Sequence, residues 1–134
     1  MSALLVSCLI TPMMTAIIAF LWPGSRQTKG LISVIGTLLL AILAALLLQQ
    51  VWLNGPVSAQ MGGWQAPIGI TLAADHLSAM LVMVSAIVAV AVSIHAVSDI
   101  DEDRAKGGFD TFFQILLTGV VGAFLTGDLF NLYV

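Results

Sequence analysis

The chain of 134 residues is 60% hydrophobic and 8% charged, against about 25% charged for an ordinary soluble domain; a globule this small keeps too much surface exposed to hide such a composition, so water is excluded as its solvent. The formal charge of −3 and the lack of any basic run exclude nucleic-acid binding, which needs Lys and Arg along one face to neutralise phosphates. The single cysteine, Cys8, lies in an apolar stretch and excludes both an internal disulfide and a multi-thiolate metal site.

Four apolar stretches, 2–22, 31–53, 75–97 and 109–126, are long enough to cross a hydrocarbon core about 30 Å thick. Each is expected to be helical, because unpaired backbone groups are costly in hydrocarbon and no alternating pattern offers a closed barrel. The first stretch has no basic residue ahead of it, so it reads as a retained anchor and not as a cleaved signal. Pro12 is a candidate kink within it. Trp22-Pro23-Gly24 closes it with an indole at the interface. The polar segment 24–30 is expected to be a short turn, and Trp52 with Asn54-Gly55-Pro56 ends the second span.

In the loop 54–74, Met61-Gly62-Gly63-Trp64-Gln65-Ala66-Pro67 carries turn chemistry, and Ile68-Gly69-Ile70-Thr71-Leu72 alternates as a short strand does, so a small hairpin on the membrane surface is expected. Asp75 and His76 begin the third span, and His95 stands near its other end as an interfacial polar tip. The run Asp99-Ile100-Asp101-Glu102-Asp103 alternates carboxylates like a calcium loop but lacks the turn glycine and the distal Glu. It is expected to be a solvated loop.

In the fourth span, Gly119 and Gly122 beside Thr118 form a thin face suited to a close helix contact. Ser33, Thr37, Ser85, Gln114 and Thr118 are polar groups able to bond neighbouring helices. Beyond Thr126, Gly127 suits a C-cap and Asp128 an N-cap, so 128–134 reads as the start of a fifth helix. The six residues after Asp128 rise only about 9 Å, so the chain is expected to continue in a longer or a second polypeptide.

Every Lys and Arg falls in two connections: Arg26 and Lys29 in one, Arg104 and Lys106 in the other. By the positive-inside rule both are expected in the cytoplasm, with the N-terminus and the loop 54–74 outside. Charged and titratable groups at spans are functional candidates by default, and here these are Asp75, His76 and Asp128, with Thr118 added because it lies near mid-membrane. Each aspartate has two readings, a helix N-cap or a member of an outer mouth through which protons or cations pass. His76 could relay a proton there. No nucleophile–base pair, metal-ligand constellation or phosphate loop is present.

Three blocks carry a resemblance. They are Met61-Gly62-Gly63-Trp64-Gln65-Ala66-Pro67-Ile68-Gly69-Ile70, then Ala74-Asp75-His76-Leu77-Ser78-Ala79, then Gly122-Ala123-Phe124-Leu125-Thr126-Gly127-Asp128-Leu129-Phe130-Asn131-Leu132-Tyr133-Val134. Together they resemble the D subunits of the multi-subunit monovalent cation/proton antiporters, a family similar to the proton-pumping membrane subunits of respiratory complex I. The resemblance implies an all-α membrane protein of about fourteen helices, of which this chain holds four and the start of a fifth. It also implies the bacterial inner membrane, partner subunits, protons and Na⁺ or another monovalent cation as cargo, no cofactor, and a transporter and not an enzyme. The family's essential membrane glutamate would follow the last block and its essential lysines would lie further on, so neither is carried over. Two alternatives remain: a proton-pumping subunit of an NADH:quinone oxidoreductase or membrane-bound hydrogenase, and a small four-span structural or assembly protein.

Overall fold

A computed structural model describes residues 2–64, 68–127 and 132–133. The elements are α1 (Ser2–Leu21), α2 (Arg26–Asn54), β1 (Val57–Gln60), β2 (Thr71–Ala74), α3 (His76–Asp99), α4 (Glu102–Lys106) and α5 (Phe109–Leu125). Helices α1, α2, α3 and α5 form an up-and-down bundle in which α1 touches α2 and α5, and α3 touches the same two. Three of them, α1, α2 and α3, are long and apolar enough to cross a membrane, and α5 is a shorter apolar helix. The chain is an all-α membrane protein, as its composition requires.

Burial on α2 falls on Gly30, Ser33, Gly36, Thr37, Leu40, Ala44, Leu47 and Val51, a stripe with the three-and-four spacing of one helix face. On α3 the stripe is Ala79, Val82, Ala86, Ala89, Ser93 and Ala96. Small residues there let the backbones approach, which lipid-embedded helices need because hydrophobicity alone does not draw them together. The faces turned outward stay apolar: Phe20, Ile35, Ile42 and Phe112 are all exposed, as expected where the solvent is hydrocarbon. The apolar core gathers toward one end, around Leu5, Leu47, Val51, Leu72, Val82, Val121 and Leu125.

Helix α2 starts at Arg26, five residues before the expected start, so most of the segment read as a turn is helical. Arg, Gln and Lys are good helix formers. The Arg26 guanidinium also donates to the Ala96 carbonyl in the last turn of α3 at 3.2 Å, tying that first turn down. Its 29 residues rise about 43 Å, so the polar first turn projects beyond the span. Helix α1 runs unbroken through the buried Pro12.

The hairpin is present, with its strands placed differently from the expected 68–72. β1 pairs antiparallel with β2 in the register Val57↔Ala74 to Gln60↔Thr71. Residues Ile68 and Gly69 turn instead, and Gly69 lies so close to the Trp64 carbonyl that a side chain there would overlap it. A 3-10 turn at Met61–Gly63 reverses the chain, with Gly62 and Gly63 at φ of 73° and 72°, values that cost glycine nothing. Ala59, Leu72 and Ala74 face the core and are buried.

Two further expectations are corrected. The acidic run leads into a short helix, α4, whose Glu102 and Asp103 stand at the start and Arg104 and Lys106 at the end, the order its dipole favours. Gly127 is not a left-handed cap: α5 ends at Thr126 in extended conformation. Thr126 bridges to Leu72, and the Gly127 amide donates to the Thr71 carbonyl at 2.8 Å. The sheet edge stops the helix.

Candidate functional site

Asp75 precedes α3 as its N-cap. The Ser78 amide donates to Asp75 Oδ1 at 2.7 Å and the Asp75 amide donates to Ser78 Oγ at 2.8 Å, a reciprocal capping box. The Ser78 amide, followed by its hydroxyl, holds the exposed Asp75 carboxyl below its usual range. The group is therefore ionised at neutral pH, and it stands in a cavity of about 260 Å³ between the hairpin and the ends of the helices, with Ser58, Ser78, Phe124 and Thr126 in the wall. The capping carboxylate also lines the cavity: one oxygen accepts the helix amide, and the cavity opens beside it.

The other candidates lie apart. The His76 ring stands edge-on to Trp52, centroids 5.7 Å apart, and does not line the cavity. Thr118 is half-buried on α5, and its hydroxyl donates to the Gln114 carbonyl on its own helix at 2.8 Å. It sits two turns from Thr126, about 12 Å along the axis. Asp128 and most of the expected fifth helix, 128–134, lie outside the described residues. His95 is exposed and meets Asp99 one turn on at 3.3 Å. Among the described residues no three His, Cys, Asp or Glu side chains converge as metal ligands do.

Polar side chains join the helices nearer the other end of the bundle. Gln114 Nε2 donates to the Ser33 carbonyl at 3.2 Å and to Ser33 Oγ at 2.9 Å. The Thr37 and Ser93 hydroxyls are 2.9 Å apart. Because Ser33 and Thr37 are one turn apart on α2, these contacts make one seam linking α5, α2 and α3. Gln114 Oε1 is buried without a hydrogen-bond partner. Ser93 escaped the sequence reading; the signal for it was the small-residue stripe of α3, in which a hydroxyl replaces an Ala. The tightest helix approaches lie beyond the expected glycine face of α5. Among the described residues, a Cβ at Gly119 would meet open space and one at Gly122 would stand 3.3 Å from Leu9 of α1, whereas one at Gly36 would overlap Thr15 and one at Gly30 would press on Val97.

No family model matches the chain. Among curated proteins it is 34% identical over 126 residues to the D subunit of the Na⁺/H⁺ antiporter of Bacillus subtilis, covering 94% of this chain and 26% of that one. To the D subunit of the Na⁺/H⁺ antiporter of Alkalihalophilus pseudofirmus it is 38% identical over 137 residues, 100% of this chain and 27% of the other. The D subunit of a probable K⁺/H⁺ antiporter of Rhizobium meliloti is 38% identical over 114 residues, 81% of this chain and 21% of its own length. Among solved structures, a chain of the membrane-bound sulfane sulfur reductase, an archaeal respiratory membrane complex, superposes with a TM-score of 0.76 at 30% identity, covering 98% of this chain and 27% of that one. The chain spans about a quarter of the length of the curated relatives it matches. Over that quarter, this chain is similar both to the D subunits of Na⁺/H⁺ antiporters and to a chain of an archaeal respiratory membrane complex.

Proposed function

We propose that the chain supplies scaffold helices of an ion-translocating subunit that exchanges a monovalent cation for protons within a multi-subunit complex of the bacterial inner membrane. The observation that carries this reading is the 34–38% identity to antiporter D subunits over 81–100% of the chain. In this reading residues 1–134 form one membrane region, a transporter part that needs no cofactor. The N-terminus and hairpin face outward and the two basic connections face the cytoplasm, where Lys and Arg are retained. The ionised Asp75 in its cavity attracts cations to the outer mouth. His76, next to Asp75 in sequence, and Thr118, deeper along α5, are further candidates for the pathway, as is Asp128.

Deleting the gene tests this directly. Growth should fail at high Na⁺ or K⁺ while NADH oxidation by membranes is unchanged, and the intact gene should restore growth. The likeness to the respiratory complex chain favours a second reading, a proton-pumping membrane subunit of an oxidoreductase complex. Loss of NADH-driven or other respiratory proton pumping, with cation tolerance intact, supports that reading and defeats the first.

A further inference from the structure

We propose that the groove between α1 and α5, at the end where the basic residues gather, holds the headgroup of a phosphatidylethanolamine molecule. The groove has a volume of about 620 Å³, and Phe20 of α1 with Phe112 and Ile115 of α5 supply apolar walls. Where α5 begins, three charged side chains line the same groove: Lys29, Lys106 and Asp110. Among the described residues the ion pair within 4 Å is His95–Asp99, so neither lysine is closed on a carboxylate. Asp110 feels Arg26 and Lys29 only at longer range.

Two ammonium groups and one carboxylate beside an apolar cleft match a ligand that carries one anion, one cation and hydrocarbon. A phosphodiester sits between the lysines, and a primary ammonium donates to Asp110. The choice among lipids follows from Asp110. Phosphatidylglycerol brings no cation and leaves its phosphate facing that carboxylate, while the quaternary ammonium of phosphatidylcholine has no N–H to donate. Free phosphate leaves the apolar walls unused. Helix α5 also starts at Gly108 without a side-chain cap, so its first amides are not satisfied by a capping side chain.

The test is native mass spectrometry of the full chain in its membrane assembly, stripped of lipid and then offered phosphatidylethanolamine, phosphatidylcholine and phosphatidylglycerol in equal amounts. The unaltered protein should retain phosphatidylethanolamine above the other two. Lys29→Gln and Lys106→Gln should each lower that retention about fivefold, and Asp110→Asn should erase the preference over phosphatidylglycerol. Arg104→Gln, on α4 outside the groove, should leave retention unchanged. Equal retention of the three lipids by the unaltered protein, or retention untouched by the double lysine substitution, overturns the proposal. So does a Phe112→Cys variant that cross-links in membranes to a polypeptide segment instead of reacting with a lipid-borne reagent.

Discussion

Hydroxyl side chains occur on α1 and on the seam between α2, α3 and α5, and the two regions use them differently. On α1, Ser7, Thr11 and Thr15 donate to the carbonyls of Ala3, Ser7 and Thr11, each four residues back, at 2.6, 2.7 and 2.8 Å. Those bonds satisfy the donors in lipid but fix nothing outside the helix. Across the seam, Ser33, Thr37, Ser93 and Gln114 bond between helices and so set register. What joins α1 to α2 is shape: Gly36 leaves the space that Thr15 fills. In a solvent without hydrophobic drive, one joint relies on close packing and the other on buried hydrogen bonds.

The difference breaks first at the packed joint. Gly36→Val forces a side chain into Thr15 and should cost about 1–3 kcal/mol, the usual penalty of overpacking, measured as unfolding free energy in detergent. Thr15→Ala in the same chain should recover part of it. At the seam, Gln114→Leu removes two bonds and also an unpaired buried carbonyl oxygen, so a loss of only about 1 kcal/mol is expected. A double-mutant cycle between Thr37→Val and Ser93→Ala should give a coupling of about 0.6 kcal/mol. Ser7→Ala on α1 should move stability by no more than about 0.5 kcal/mol, and coupling between Ser7 and any residue of another helix should be absent.

The smallest effect belongs to the hairpin end and is confined to acid. The Asp75 carboxyl is lowered in the fold by the Ser78 hydrogen bonds, so its contribution is present above the unfolded carboxylate value, about 3.9, and is lost as pH falls through the folded value. Wild-type stability should therefore decline on acidification below about pH 4 more than that of Asp75→Asn, which still accepts the Ser78 amide but does not titrate.

How much of this was legible depended on whether a residue's partner lay on its own segment. Span composition, the segregation of Arg26 and Lys29 with Arg104 and Lys106, and the Asp75 cap are local, and the chain states them outright. The start of α2 was not, because the segment 24–30 looks polar and glycine-flanked until Arg26 reaches Ala96 seventy residues away. The strand Val57–Gln60 was missed for the same reason: four residues without strong alternation pair only because Thr71–Ala74 returns beside them. Thr118 and Gln114 are both polar residues of one apolar helix, yet one closes on its own turn and the other crosses to Ser33. Which way a polar side chain faces is settled by neighbouring helices.

The proposed function rests on a proposed topology, in which the apolar helices thread the bilayer with both basic connections on one side and the hairpin on the other. In a Cys8→Ala background, single variants Arg26→Cys, Arg104→Cys and Ser58→Cys can be labelled in intact cells by a reagent that does not cross the membrane. The expected result is labelling of Ser58→Cys alone, with the other two reacting only after the membrane is opened. Labelling of Arg26→Cys and Arg104→Cys from opposite sides contradicts it.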